Sequence, residues 1–273
     1  MKFSKMLLIT DADGTLLTDD KRILSSDKVA ISKFIQNGGL FTVATGRGVA
    51  LARAVTDELG ELLKIPAVIF NGAAVYDFNA GNFLWKCSLN KKSREYIEKI
   101  MDVFPDIGME ILIDEQIYVP RSNEYEEAHI AYGKIEPIRC RYSEIPQGEE
   151  NGWVKVLFVD SPEKIDGMIE YVVANPCESI HAVRSGPMFY EFLPQGINKG
   201  VGFKKLLELT DLRDYYIIAA GDYMNDHEML QMADLGVAVE NAEDVIKESA
   251  DIVVCDNNSG SIAAILEYLE NLE

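Results

Sequence analysis

The chain has 273 residues, a length that favours about two domains and allows a sizeable hydrophobic core. Hydrophobic residues make up 48% of it and charged residues 26%, an ordinary globular composition that excludes disordered, collagen-like and coiled-coil proteins. Its 45 Asp and Glu residues outnumber its 26 Lys and Arg residues, and the resulting net charge of −19 predicts repulsion from nucleic acids and anionic membranes.

The first 80 residues alternate between apolar strand patterns and amphipathic helix patterns. Gly38 and Gly39 separate the first helix from the second strand, as a helix C-cap would. The strands are almost continuously apolar, which is typical of parallel sheets buried on both faces. We therefore predict a β-α-β-α-β order, with strands at residues 6–10, 40–44 and 67–70 and helices after residue 26 and over about 49–63.

The same alternation returns after residue 190. Asn225 and Glu228 resemble a capping box, which places Asp222 in the loop after a strand and Asp226 in the first turn of a helix. The patterns predict helices at residues 199–209, 226–233, 242–249 and from 259, and strands at residues 216–220, 236–239 and 252–254.

The segment between these two regions has a different pattern. It predicts short strands at residues 83–89, 109–113, 116–119, 155–159 and 180–184, and helices near 93–104 and 162–173. We therefore expect an α/β protein with a doubly wound, Rossmann-like parallel-sheet core formed by residues 1–81 and 190–273. An α+β domain at residues 82–189 interrupts this core.

The cysteine pattern and the absence of long apolar stretches predict the compartment. The apolar run at residues 6–9 is too short for a secretory signal, and no stretch approaches the 18 apolar residues of a spanning helix. Four scattered cysteines without a Cys-x-x-Cys pair favour a reducing cytosol. We expect a cytoplasmic protein.

Asp11 and Asp13 stand at the end of the first predicted strand and precede Gly14, which permits a sharp turn. Ligands bind at the carboxyl ends of strands in open α/β sheets. Two carboxylates there suit division of nucleophilic and proton-transfer work, or the binding of a hard cation. By itself, the motif is equally well interpreted as a solvated Asp-rich turn. An EF-hand is a poor match, because Gly14 stands at loop position 4 rather than 6.

Thr45, Gly46, Arg47 and Gly48 follow the second predicted strand and open a helix. A hydroxyl, free backbone N–H groups and a guanidinium at one place suit a phosphate group. By itself, the segment is more simply explained as a turn capped by Thr45 with Arg47 in solvent.

Lys199 and the pair Asp222 and Asp226 are further polar residues beside predicted strand ends. Lys199 lies at a helix start, where the helix dipole disfavours basic residues, although a surface lysine is the simpler interpretation. The order of glycines around it excludes a Walker P-loop. Acidic capping of a first helical turn accounts for Asp226 but not for Asp222.

Taken together, these groups resemble the four motifs of the haloacid dehalogenase superfamily of phosphohydrolases, over nearly the whole chain. The residues that carry the resemblance, in order, are Asp11-Ala12-Asp13-Gly14-Thr15, Thr45, Lys199 and Gly221-Asp222 through Asp226. The insertion, with the phrases Ala44-Thr45-Gly46-Arg47 and Asn71-Gly72-Ala73, resembles the Cof-like, type IIB branch with an α/β cap.

The resemblance implies a Mg²⁺-dependent phosphomonoesterase that acts on a small phosphorylated metabolite such as a sugar phosphate. Asp11 would form an aspartyl-phosphate, and Asp13 would be the general acid and base. The implied Mg²⁺ ligands are Asp11, the main-chain carbonyl of Asp13, Asp222 and Asp226. The implied phosphate-binding residues are Thr45, Gly46 and Lys199, with Arg47 and Asn225 as helpers. Asn71 and Gly72 are interpreted as a hinge, a substrate-facing loop or a simple Asn-Gly turn.

Two other functions stay open at this point. A phosphosugar mutase on the same scaffold would return the phosphoryl group to the sugar rather than to water. A catalytically silent phosphate-ligand binding protein is a weaker alternative, because all the expected catalytic groups are present. The expected partner is a small phosphorylated metabolite rather than nucleic acid or membrane, and the expected assembly is a monomer or small homo-oligomer.

Overall fold

The computed structural model describes residues 2–133, 135–147 and 152–272, and these form two compact units. The first unit consists of the residues up to Gly46, Ala52–Trp85 and the residues from Asn198 onward. The second consists of Arg47–Leu51 and Lys86–Ile197. None of the helices in these described ranges has both the length and the apolar character needed to span a bilayer.

The chain begins with β1 (Met6–Thr10), α1 (Ser25–Gln36), β2 (Leu40–Val43), α2 (Val49–Leu59), β3 (Ala67–Ile69), β4 (Ala74–Asp77) and β5 (Asn82–Lys86). It continues with α3 (Lys91–Val103), β6 (Gly108–Ile113), β7 (Gln116–Arg121), α4 (Glu124–Gly133), β8 (Ile138–Arg139), β9 (Trp153–Val159), α5 (Pro162–Ala174), β10 (Ile180–Gly186) and β11 (Phe189–Pro194). The last elements are α6 (Lys199–Thr210), β12 (Tyr216–Gly221), α7 (His227–Met232), β13 (Leu235–Val239), α8 (Asp244–Ser249), β14 (Ile252–Val254) and α9 (Ser261–Asn271).

The first unit is built on a five-stranded parallel sheet with the strand order β14-β13-β12-β1-β2. Thr10 at the end of β1 pairs with Ala220 of β12 on one side and with Val43 of β2 on the other. The carboxyl ends of three strands therefore meet at one edge, where open α/β sheets bind ligands.

Both faces of this sheet are covered. Leu7 and Ile9 of β1 pack with Phe203 and Leu206 of α6 in one cluster of buried residues. Leu8 alternates with them and is also fully buried, so it faces the opposite side of the sheet. Helices α1 and α9 contact each other and pack against β2 and β14 at the sheet's two edges. The predicted doubly wound α/β class is confirmed.

The third predicted strand differs from the expectation. β3 ends at Ile69 and pairs antiparallel with β4 in a separate three-stranded sheet, β3-β4-β5, and an isolated parallel bridge joins Ala44 to Val68. Phe70 was predicted to continue this strand, but it begins a 3-10 turn, Phe70–Gly72. The apolar side chains of this segment fit either pairing, so the sequence pattern could not separate them.

The second unit has a six-stranded sheet in the order β10-β11-β9-β6-β7-β8, antiparallel except for the β7–β8 pair. Trp153, Val156 and Phe158 of β9 pack with Ile97 of α3 and Ile165 of α5 in its buried core. A side-chain N-cap begins each of these two helices, Asn90 for α3 and Ser161 for α5. The sequence patterns did not predict β4, β8, α4 or β11.

Candidate active site

The first acidic turn follows β1 directly. Asp11 is 6% exposed, and its backbone N–H donates to the Ala220 carbonyl at 2.8 Å, which extends the β1–β12 pairing by one residue. Gly14 has φ +81°, and a Cβ built on it would lie 2.5 Å from Oδ2 of Asp222. The turn therefore needs glycine both for its backbone conformation and for its close approach to Asp222.

Asp13 points in a different direction from Asp11. Its carboxylate is 39% exposed and forms an ion pair with Nζ of Lys21 at 2.9 Å. The two aspartates, two positions apart, thus have distinct environments: Asp11 is buried and Asp13 is partly open to solvent. Lys21 was not among the predicted site residues, because no local sequence pattern singles it out.

Three carboxylates converge at the carboxyl edge of the parallel sheet. Asp11, Asp222 and Asp226 each place one oxygen so that all three lie within 4.8 Å of one another. Asp222 immediately follows β12, the neighbour of β1, so strand pairing brings together two residues that are 211 positions apart, 222 minus 11. Among the described residues, this is the one group of His, Cys, Asp or Glu with the spacing of a metal site.

Asp226 holds the loop that carries Asp222. Its Oδ2 accepts hydrogen bonds from the backbone N–H groups of Asp222 and Tyr223 at 3.1 and 3.2 Å. Asp226 itself is fully buried at the end of the 3-10 turn Met224–Asp226. On the other side, the hydroxyl of Thr15 donates to Oδ1 of Asp222 at 2.8 Å. The acidic residues are therefore oriented by bonds from both loops.

Lys199 lies within this cluster. Its ammonium donates to Oδ1 of Asp11 at 2.5 Å and to Oδ1 of Asp226 at 2.6 Å, and the side chain is fully buried. Asn198 caps α6 by accepting from the Val201 N–H, which places Lys199 in the first turn of the helix. The two buried carboxylates explain a lysine at a position that the helix dipole disfavours.

Burial and charge crowding determine the electrostatics. Burial raises the pKa of Asp11 well above its usual range; Lys199 opposes this rise, and the neighbouring Asp226, Asp222 and Asp13 add to it. Burial, and then the charge of Asp226, raises the pKa of Asp222 to about 6 against the Thr15 hydrogen bond and Lys199. For Lys199, burial works to lower the pKa, but Asp11 and Asp226 outweigh it and raise the pKa above the usual range.

The donor set fits a hard divalent cation. All three groups are carboxylates, the oxygen ligands that Mg²⁺ prefers, and Lys199 alone leaves the ionised cluster with an excess negative charge of two. A divalent ion would balance that excess and offset the charge repulsion that adds to burial in raising the pKa values of Asp11 and Asp222. Asp11, Asp222 and Asp226 are therefore suited to hold such an ion.

Thr45 and Gly46 lie at the end of the strand beside β1. Thr45 is 2% exposed; its N–H donates to the Val68 carbonyl at 2.9 Å, and its carbonyl accepts from the Asn71 N–H at 3.1 Å. A Cβ on Gly46 would lie 2.8 Å from Oδ1 of Asn71. The predicted phosphate loop is thus at the same edge of the sheet as Asp11, and it is packed against Asn71.

Arg47 and Asn225 have contacts of other kinds. Arg47 belongs to the second unit, where its guanidinium donates to the Leu51 carbonyl at 3.2 Å. The Asn225 amide donates to Oδ1 of Asn71 at 2.9 Å. The predicted capping box is wrong, because Asn225 lies inside the 3-10 turn and α7 begins only at His227. The bonds that Asp226 accepts from the loop backbone replace the cap.

The chain is similar to known hydrolases over nearly its whole length. A family model for haloacid dehalogenase-like hydrolases matches residues 8–266. The Streptococcus pyogenes serotype M6 protein M6_Spy0533 is 29% identical over 270 residues, covering 97% of this chain and 98% of its own. The Bacillus subtilis protein YitU, named 5-amino-6-(5-phospho-D-ribitylamino)uracil phosphatase, is 25% identical over 272 residues, covering 98% of both chains.

The fold also resembles that of a solved structure. The structure of BT4131, described as a subclass IIB sugar phosphatase, matches with a TM-score of 0.82 at 19% identity, covering 97% of this chain and 99% of that one. At that identity, the similarity is one of fold. Because it extends over 97% of this chain, the similarity includes both the parallel-sheet core and the domain inserted into it.

Proposed function

This chain belongs to the haloacid dehalogenase-like hydrolases, as an enzyme of their phosphatase type with the fold of subclass IIB, and we propose that it is a Mg²⁺-dependent phosphomonoesterase. The observation that carries the proposal is the convergence of Asp11, Asp222, Asp226 and Lys199 at the carboxyl edge of the sheet. Asp13, two residues after Asp11, has a partly exposed carboxylate.

Asp11 is the proposed nucleophile. One of its carboxylate oxygens forms a bond to phosphorus while the bond from phosphorus to the ester oxygen breaks, which yields an aspartyl-phosphate. The backbone bond to Ala220 and the contact with Lys199 support this role, since they fix the position of the carboxylate. Asp11 cannot turn away without losing its buried ion pair.

Asp13 is the proposed general acid and base. It donates a proton to the departing ester oxygen, and it then accepts a proton from the water that attacks the aspartyl-phosphate and releases inorganic phosphate. Its partial exposure supports this role, because a proton-transfer group must reach both a leaving group and water. Lys21 holds Asp13 at 2.9 Å and so competes for the same oxygen.

We place Mg²⁺ on Asp11, Asp222, Asp226 and the main-chain carbonyl of Asp13. When bound, the ion offsets the repulsion between an anionic substrate and the carboxylates. The proposed phosphate-binding groups are the Lys199 ammonium and the Thr45–Gly46 loop, with Arg47 and Asn225 as helpers. Their support is the position of Thr45 beside β1 and the bonds of Lys199 to Asp11 and Asp226.

The proposed substrate is a small phosphorylated metabolite such as a sugar phosphate. The names of YitU and BT4131 support this class, since both refer to phosphatases of small molecules. The four cysteines are free thiols, in line with the proposed cytoplasmic location of a monomer or small homo-oligomer. The proposed cap that determines specificity is the insertion at residues 82–189, most of which belongs to the second unit.

The test is release of phosphate from a generic aryl phosphate. Turnover should require Mg²⁺ and should be lost in Asp11→Asn, whereas the matched control Asp20→Asn, an exposed carboxylate paired with Arg22, should keep it. Unchanged turnover in Asp11→Asn would refute the proposal. With sugar phosphates, product analysis separates the phosphatase, which yields free phosphate, from a mutase, which yields an isomerised sugar phosphate.

A further inference from the structure

The turn Phe70–Gly72 is the most unusual stretch of backbone in the first unit. Phe70, Asn71 and Gly72 have φ values of +54°, +52° and +96°, so three consecutive residues occupy the left-handed region. This conformation is costly for a bulky residue such as Phe and persists only where the surrounding structure enforces it. Backbone strain of this kind concentrates at functional sites.

Asn71 connects two of the loops at the sheet edge. Its N–H donates to the Thr45 carbonyl at 3.1 Å, and its Oδ1 accepts from the Asn225 amide at 2.9 Å. The side chain is 1% exposed, and its Oδ1 also limits the space at Gly46. Asn suits this position because it tolerates left-handed backbone and carries a side-chain acceptor.

Gly72 brings the same turn against the start of α6. A Cβ on Gly72 would lie 1.9 Å from the carbonyl oxygen of Asn198, and a Cβ on Gly202 would lie 2.6 Å from Cα of Gly72. The turn and the helix thus approach through glycines on both sides. Lys199 follows Asn198, so the turn also determines where the backbone of Lys199 lies.

We propose that Asn71 is a positioning residue, which holds the Thr45–Gly46 loop, the Asn225 turn and the first turn of α6 in the alignment that binds the transferring phosphoryl group. The inference rests on the proposed function and adds to it a residue that acts only through others. Three phosphate-binding groups from three separate loops need a common reference, because small errors in placement reduce both anion binding and transition-state stabilisation.

Asn71→Gly tests this inference while keeping the left-handed backbone, since glycine adopts it freely. We expect kcat for an aryl phosphate to fall and the inhibition constant of inorganic phosphate to rise, each by roughly tenfold or more. The matched control is Asp211→Gly. Asp211 is the exposed C-cap of α6 and also has left-handed backbone, so the kinetics of this variant should equal those of the wild type. The melting temperatures of both variants are measured in parallel.

Asn225→Ala removes the other partner of the same hydrogen bond. If both residues act through that bond, Asn225→Ala should give a similar loss and the double variant little more than either single variant. Asn71→Gly kinetics within twofold of the wild type, or simple additivity, would overturn the inference. If Asn71→Gly does not fold, the same measurements on Asn71→Ser decide, because Asn225 is itself a proposed phosphate-binding group and Asn225→Ala alone does not separate the two roles. Wild-type protein without phosphatase activity would instead refute the proposed function.

Discussion

The ammonium of Lys199 lies 2.5 Å from the carboxylate of Asp11, although 188 residues separate them in the chain. Both side chains are buried, and the same ammonium also contacts Asp226. A buried charge destabilises the folded state unless it is paired, so the lysine and the two aspartates each offset the cost of burying the other.

Lys199→Met should remove both turnover and part of the stability of the protein. We expect kcat to fall by about 10² to 10³, the usual effect of losing one donor to a transferring anion. Without Mg²⁺, the unpaired carboxylates should reduce the free energy of unfolding by about 3–5 kcal/mol. Steady-state kinetics and urea unfolding measure the two effects.

Lys205→Met provides the control for this variant, because Lys205 lies on the same helix and pairs with Glu208 near the surface. Its kcat and stability should change little. Equal effects of the two substitutions would contradict a special role for Lys199.

Mg²⁺ binding should weaken as the pH falls through about 6. Burial and the charge of Asp226 raise the pKa of Asp222 to about 6 in the metal-free protein. Below that pH, Asp222 is protonated and neutral and therefore loses its value as a ligand; above it, the carboxylate is ionised and binds the cation. Calorimetric titration with Mg²⁺ from pH 5 to 8 should show this dependence, and an affinity independent of pH would contradict it.

Gly14→Ala should be more harmful than Gly81→Ala. Both glycines have positive φ, +81° and +71°, so both substitutions introduce backbone strain of about 1–2 kcal/mol. Only at Gly14 would the new Cβ also meet Asp222, at 2.5 Å, whereas it would meet nothing within 4 Å at Gly81.

We expect both glycine variants to lower the melting temperature, and Gly14→Ala to weaken Mg²⁺ binding as well, because the substitution displaces an expected ligand. Gly81→Ala should bind Mg²⁺ as the wild type does. Unchanged Mg²⁺ affinity in Gly14→Ala would show that the turn and Asp222 can separate without loss.

Asp27→Asn should stabilise the protein at neutral pH. Asp27 is fully buried; its Oδ1 accepts from the Ala263 N–H at 2.8 Å, and its Oδ2 has no hydrogen-bond partner among the described residues. Burial raises the pKa of Asp27, while the backbone N–H groups of Ala263 and Ile262 oppose the rise. The folded state therefore favours the protonated form, and stability from this group is lost as the pH rises through the raised pKa.

The neutral Asn should accordingly raise the free energy of unfolding at pH 7 by about 1 kcal/mol, and the gain should shrink at acidic pH, where Asp27 is protonated in the wild type. Asp57→Asn, an exposed position of α2, is the control and should have little effect. A less stable Asp27→Asn variant at pH 7 would mean that the bonds to α9 outweigh the cost of the buried charge.

Sequence patterns predicted the parallel strands and the polar residues at their ends, because buried strands have continuous apolar runs and strand ends are marked by Asp, Gly and Thr. They did not predict β4 or β11, because these segments are strands by virtue of the strands with which they pair in the folded sheets, and a local sequence pattern does not contain that information. The capping box at Asn225 failed for a related reason, since the bond of Asn225 to Asn71 crosses 154 residues.

The amino-acid sequence alone determined the α/β class, the family and the identity of the residues placed at strand ends, since these depend on local periodicity and on short motifs. Only the tertiary structure decided that Lys199 bridges Asp11 and Asp226. It also decided that Asp13 is turned towards Lys21 and that Asn71 joins the Thr45 loop to the Asn225 turn. Hydrogen bonds and ion pairs act over about 3 Å, and which distant residues come that close depends on the order and register of the strands.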